Sequence, residues 1–150
     1  MPITVIALSS LILILDQISK FYISSALSLG QSIPVVRDIF HISLVYNTGA
    51  AFGLFKNQKI FFIILTAAVV MYIIRDLFFH GSRYSLGRRV ALGLILGWAA
   101  GNFVDRLRLG YIIDFLDFRV WPVFNLADSA ITVGIIILGC SLLKRAPGHP

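Results

Sequence analysis

Residues 60–74 read IFFIILTAAVVMYII, fifteen positions without a charge, and the apolar run resumes at Leu77-Phe78-Phe79 after Arg75 and Asp76. A helix that crosses the hydrocarbon core of a bilayer needs about 20 predominantly apolar residues. This stretch reaches that length only by taking in the charges near its end. Three more runs have the same build: Ile3 to Leu15, continuing with polar interruptions to about Ile23; Val90 to about Val104; and Ala127 to Leu143. Polar residues at one end of each apolar run are where function is expected. The composition agrees, with 58% hydrophobic and 13% charged residues among 150 and a mean hydropathy of +0.89. Soluble domains carry about 25% charged residues, so this chain lacks the polar surface to cover a globule in water. Disordered chains are poor in apolar residues, and a single cysteine, Cys140, excludes a disulfide scaffold. The expectation is an all-α membrane protein, one domain over 1–150, with four transmembrane helices at about 3–23, 60–79, 88–104 and 127–143.

The connections refine this. The first run has no basic segment before it and no small-residue cleavage site after it, so it reads as a retained helix rather than a signal peptide. Residues Ile39 to Tyr46 are β-branched and aromatic and lead into Asn47-Thr48-Gly49, a strand entering a turn. Tyr111 to Phe118 is also strand-like, with Pro122 closing the stretch. A small extracytoplasmic β-like platform is expected from these pieces. An even number of spans puts both termini on one side. Lys and Arg do not say which side: Arg75, Arg83, Arg88, Arg89, Lys144 and Arg145 balance Arg37, Lys56, Lys59, Arg106, Arg108 and Arg119. The net charge of +6 fits basic flanks facing anionic lipid head groups. No basic patch with interleaved aromatics suggests nucleic acid.

The acidic residues are seven aspartates with no glutamate. Asp16 and Lys20 are four apart on helix 1 and share a face, in the orientation an ion pair prefers. A structural pair is the simplest reading of them. Asn102, Asp105 and Arg106 share a face at the end of helix 3, either as interface anchors or as part of a site, with Arg108 a possible partner. Asp114 lies in Tyr111-Ile112-Ile113-Asp114-Phe115-Leu116-Asp117-Phe118, among apolar neighbours that should raise its pKa by desolvation. Asp128 follows Phe124-Asn125-Leu126-Ala127 in or beside the first turn of helix 4, where the helix dipole favours its ionised form. Either Asn125 or Asp128 could also be a plain helix cap. Two carboxylates whose environments push their pKa values apart have the makings of an acid–base pair, able to hydrolyse an amide without a metal or a nucleophilic side chain. His41, His80 and His149 are scattered, Cys140 is expected to be buried in an apolar helix, Ser129 has no base near it in sequence, and no metal-like spacing appears.

Five blocks in order resemble the lipoprotein signal peptidase (signal peptidase II) family over nearly the whole chain: Asp16-Gln17-x-x-Lys20; Asn47-Thr48-Gly49-Ala50-Ala51-Phe52-Gly53; Gly101-Asn102-x-x-Asp105-Arg106; Asp114-Phe115; and Phe124-Asn125-x-Ala127-Asp128-Ser129. The resemblance implies a membrane aspartic endopeptidase that cuts prolipoproteins on the N-terminal side of a diacylglyceryl-modified cysteine. It puts the catalytic aspartates at Asp114 and Asp128, and the supporting residues at Asn47, Asn102, Arg106 and Asn125, with Asp16 and Lys20 as the helix 1 pair. It implies the bacterial cytoplasmic membrane, both termini inside, and a site near the outer face. No cofactor, metal or oligomer is called for, and membrane lipids are the other partner. Two departures stand out. Gly97-Trp98 occupies the place of paired glycines, and the interval from Asp114 to Asp128, 14 residues, is shorter than in many members. A lipidated substrate would enter sideways from the bilayer, with Phe40 and Tyr46 on a surface platform over the opening. Two other readings remain: a small membrane transporter, against which the placement of acids at helix ends argues, and a non-catalytic subunit whose Asp and Asn residues only lock helices together.

Overall fold

The computed structural model describes residues 3–49 and 58–143. Ala50 to Gly53 of the second block, Lys56, Lys144, Arg145 and His149 lie outside the described residues. The chain runs α1 (Ile3–Ala26), β1 (Ser32–Val36), β2 (Phe40–Asn47), α2 (Lys59–His80), a 3-10 turn, α3 (Leu86–Arg108), β3 (Ile112–Asp117) and α4 (Leu126–Leu143). The four helices fall on the four apolar runs. The first three are long and apolar enough to cross a membrane, while in α4 the apolar stretch Leu126–Ser141 is shorter. Their outer faces carry bare aliphatic and aromatic side chains such as Ile6, Ile60, Ile64, Phe78 and Ile136. Such a surface suits lipid, not water.

Since lipid tails are as apolar as leucine, helices in a membrane associate through close packing at small residues. In α3 those are Gly93, Gly97 and Gly101, spaced four apart and facing α1. A Cβ at Gly97 would come within 2.6 Å of the Ile12 Cβ, and one at Gly101 within 2.6 Å of an Asp16 carboxylate oxygen. The opposite side of α3 meets α4, where Gly134 lies against the Ala91 carbonyl. α3 is thus the central post, with α1 and α4 packed on it and α2 leaning on it more lightly.

The platform is a genuine antiparallel sheet in the order β1-β2-β3. Two strands lie where the β-branched and aromatic runs placed them. The edge strand β1, with Pro34 inside it, was not anticipated, because proline argues against a central strand though not against an edge. Between β2 and β3 the register sets Val45 against Asp114 and Asn47 against Ile112. Alternation along β3 then puts Ile112 and Asp114 on one face, with Asn47 diagonal to Asp114. After β3 the chain doubles back: the Phe124 carbonyl accepts from the Phe115 and Leu116 amides at 2.9 and 2.7 Å, and the Phe124 amide donates to Leu116 at 3.1 Å. This return delivers Asn125 and the start of α4 to the side of Asp114.

Candidate active site

Asn125 is fully buried at the N-cap of α4, and its side chain joins the two halves of the site. Its Oδ1 accepts from the Asp128 amide at 2.9 Å, and its own amide donates to Asp128 Oδ2 at 3.3 Å. This is a reciprocal cap of the helix terminus, so the capping role expected of one residue is shared by both. Capping uses up one Asp128 oxygen. The other, Oδ1, accepts from Trp98 Nε1 and Asn102 Nδ2, each at 2.9 Å. Meanwhile Asn125 Nδ2 donates to Asp114 Oδ1 at 2.7 Å, and Asn47 Nδ2 donates to Asp114 Oδ2 at 2.9 Å. Asn47 is held in turn by the Gly49 amide, which donates to its Oδ1 at 3.0 Å. Burial and the nearby Asp128 charge push the Asp114 carboxyl up to about 7, against the pull of the Asn47 and Asn125 donors. Two carboxylates in one pocket resist carrying two charges, and the pair retains a proton.

Behind the pair lies a buried ionic core. Lys20 Nζ is 2.7 Å from Asp16 Oδ2 and 2.7 Å from Asp105 Oδ2, and all three side chains are almost wholly buried. A charge is tolerated there because it is paired and hydrogen-bonded. Asp16 Oδ1 also accepts from the Ala127 amide at 3.1 Å, tying α1 to the first turn of α4. Asp105 accepts from Gln17 Nε2 at 2.9 Å and the Ile113 amide at 3.3 Å. The pair in helix 1 is therefore one edge of a three-residue network that pins α1, α3, β3 and α4 together. Its link to the acidic pair is Asn102, whose Oδ1 accepts from Lys20 at 3.1 Å and from Asn125 at 3.2 Å.

Residues 8–144 match the family described as signal peptidase (SPase) II. The chain belongs to the signal peptidase II family. It is 46% identical over 146 residues to a lipoprotein signal peptidase of Moorella thermoacetica, covering 97% of this chain and 95% of that relative. With one from Halothermothrix orenii it shares 40% over 128 residues, 85% of this chain and 87% of the relative. Its fold is similar to that of a bacterial membrane enzyme solved by the in meso method at 2.3 Å, with a TM-score of 0.88, 31% identity, and coverage of 98% of this chain and 94% of that one. The family makes this protein a peptidase, and its apolar helices make it a multi-pass membrane protein.

In this signal peptidase II family member, Asp114 and Asp128 border one cavity of about 710 Å³ between α2, α3, α4 and the sheet. Asn47, Asn102 and Arg106 line it too, whereas Asn125, Asp16 and Lys20 act from behind. The Arg106 guanidinium lies 4.5 Å over the Phe62 ring, donates to the Gly49 carbonyl at 3.4 Å, and interacts electrostatically with Asp128, Asp114 and Asp105. Asp117, one residue out of phase with Asp114 and Leu116, bonds Ser43 Oγ at 2.8 Å and takes no part. Phe40 packs against Phe118 with ring centres 4.8 Å apart, and Tyr46 stacks on Tyr111 at 4.1 Å. Cys140, expected to be buried within its helix, is exposed, because α4 turns that face outward. Among the described residues no three of His, Cys, Asp or Glu gather to hold a metal ion.

Two participants had no role assigned from sequence, Trp98 and Gln17, and Asp105, read as an interface anchor or part of a site, was given no partner in helix 1. Trp98 is four residues before Asn102, hence on the same helical face. Gln17 and Asp105 lie inside recognised blocks, but they meet each other across 88 positions of chain, alongside the Lys20 contact to Asp105.

Proposed function

We propose that this peptidase is of the aspartic type and removes the signal peptide of prolipoproteins, cutting on the N-terminal side of a diacylglyceryl-modified cysteine. One observation carries the chemistry. Asp114 and Asp128 face a single cavity, share the side chain of Asn125, and lie in environments that leave one proton between them. Asp114 holds that proton. The ionised Asp128, close to the helix N-terminus, takes a proton from a water molecule whose oxygen attacks the scissile carbonyl carbon. Asp114 donates its proton to the carbonyl oxygen, giving a neutral tetrahedral diol. Asp128 then passes its acquired proton to the cysteine nitrogen as the C–N bond breaks, and the collapsing diol returns a proton to Asp114. No cofactor or metal enters, and no second subunit is required. The substrate class comes from the relatives named lipoprotein signal peptidases.

The cavity wall formed by Phe62, Leu65 and Val69 of α2 opposite Ile131 of α4 suits acyl chains arriving from the bilayer. The single domain then sits in the bacterial cytoplasmic membrane with four spans. Arg75, Arg83, Arg88 and Arg89 mark the bundle end opposite the sheet; the charge count is tied, and it is the family resemblance that makes this end, with both termini, cytoplasmic. The site lies near the outer face.

The deciding assay uses purified protein and a diacylglyceryl-modified preprotein. Asp114→Asn and Asp128→Asn should each abolish cleavage while substrate still binds, and a chelator should leave the rate unchanged. Full turnover by either variant removes that residue from the pair, and activity lost to chelator and restored by zinc refutes the mechanism. An inert wild-type protein in the same assay would favour the helix-packing subunit.

A further inference from the structure

We propose that Trp98 is a positioning residue for Asp128, giving its carboxylate a rigid donor that fixes its rotation; the proposal rests on the peptidase reading above. Trp98 stands where the family resemblance led us to expect a second glycine. Its neighbours Gly97 and Ala99 are buried in the helix packing, while its half-buried ring turns to the cavity. From there Nε1 donates to Asp128 Oδ1 at 2.9 Å, alongside Asn102 Nδ2 at the same distance. With the Asn125 amide on Oδ2, Asp128 has three donors. Donors to the charged form favour that form. An indole N–H can only donate, so unlike the Asn102 amide it cannot flip to present an acceptor. The rigid two-ring side chain also fixes where that donor lies.

The charged groups around Asp128 are Asp114 from β3, Arg106 from α3, and Asp16 and Lys20 from α1 through Ala127 and Asn102. β2 contributes the neutral Asn47, and α2 offers Phe62, Leu65, Thr66 and Val69. Trp98 is thus an uncharged contribution to the proton balance of the pair. Without it, the pair loses one of the donors to its charge, and its active, singly protonated form appears only at higher pH.

Trp98→Phe keeps an aromatic ring and deletes the donor. The acid limb of its kcat/KM profile should move up by about one pH unit, the tenfold change in ionisation expected for one lost hydrogen bond to a charge. Its kcat at low pH should fall about tenfold with KM little changed. A purely structural role would lower thermal stability and leave the profile in place, so a wild-type acid limb in Trp98→Phe overturns the proposal. A second measurement needs neither turnover nor the Trp98→Phe variant. The protein has two tryptophans, and in the wild type the Trp98 indole proton resonance should move as the aspartates titrate, with that movement much reduced in Asp128→Asn. A Trp98 resonance indifferent to pH overturns the proposal even if the enzyme cleaves, whereas a titrating resonance in a protein that cleaves nothing supports the contact and sinks the peptidase reading instead.

Discussion

Replacing Lys20 by methionine removes the charge that balances Asp16 and Asp105 and keeps most of the side-chain volume. Both carboxylates remain buried and lose contacts of 2.7 Å. Breaking a buried ion pair from one side costs about 3–5 kcal/mol, so unfolding should shift by that amount in a detergent or bilayer assay. The change also reaches the acidic pair. Asn102 Oδ1 faces Lys20 Nζ at 3.1 Å, and an ammonium can only donate. That contact obliges Asn102 to turn its Nδ2 toward Asp128, 2.9 Å away. In Lys20→Met the amide is freer to flip and to set an oxygen against the carboxylate. Losing a hydrogen bond to a charged group is worth about 1.5–3 kcal/mol, or roughly tenfold to a hundredfold in kcat. The triple variant Asp16→Asn, Lys20→Met, Asp105→Asn separates the two effects. A neutral set is often as stable as a buried ionic one, so it should regain most of the stability and little of the activity. Wild-type stability and turnover in Lys20→Met would refute the reasoning. Full activity in the triple variant would refute its second half.

Raising pH strips the shared proton from the aspartates, and with Asp114 near 7 the value of kcat/KM should fall about tenfold per unit above that point. Because Asp114 binds its proton more tightly folded than unfolded, its contribution to stability is full below 3.8 and is lost as pH rises through about 7. A melting curve rising across that window would contradict the assignment. Asn47→Ala removes a donor to ionised Asp114, so the alkaline limb should move to higher pH; movement the other way would mean Asn47 steadies the protonated form. Gly97→Ala brings a methyl within 2.6 Å of the Ile12 Cβ, which belongs to the body of α1 and cannot swing aside. Overpacking of this kind costs about 1–3 kcal/mol, read as a lower melting temperature; an unchanged one would mean that the helices part freely there.

The four apolar runs were legible because lipid imposes one rule on every residue of a spanning helix: its backbone must be satisfied internally and its outer surface must be apolar. β2 and β3 were legible from β-branched and aromatic runs, whereas β1, exposed along its length and carrying Pro34, had no pattern to show. Gly93, Gly97 and Gly101 were in plain view, yet a four-residue spacing of glycines names no partner until α1 is laid against it. The candidate site divides in the same way. Apolar flanks singled out Asp114, since an ionisable group near lipid needs a reason to be there, whereas Asp128 at the start of α4 read equally as a cap and was joined to Asp114 by the family resemblance. What the sequence by itself determined was the medium, the number of helices and which polar residues were costly. Only tertiary structure decided who satisfies them: the return of the chain at Phe124 sets Asn125 between the two aspartates, Lys20 answers Asp105 from another helix, and Trp98 turns its N–H to Asp128. Hydrophobic pattern is a property of single segments, whereas the partner of a buried charge is chosen by whichever segment arrives beside it.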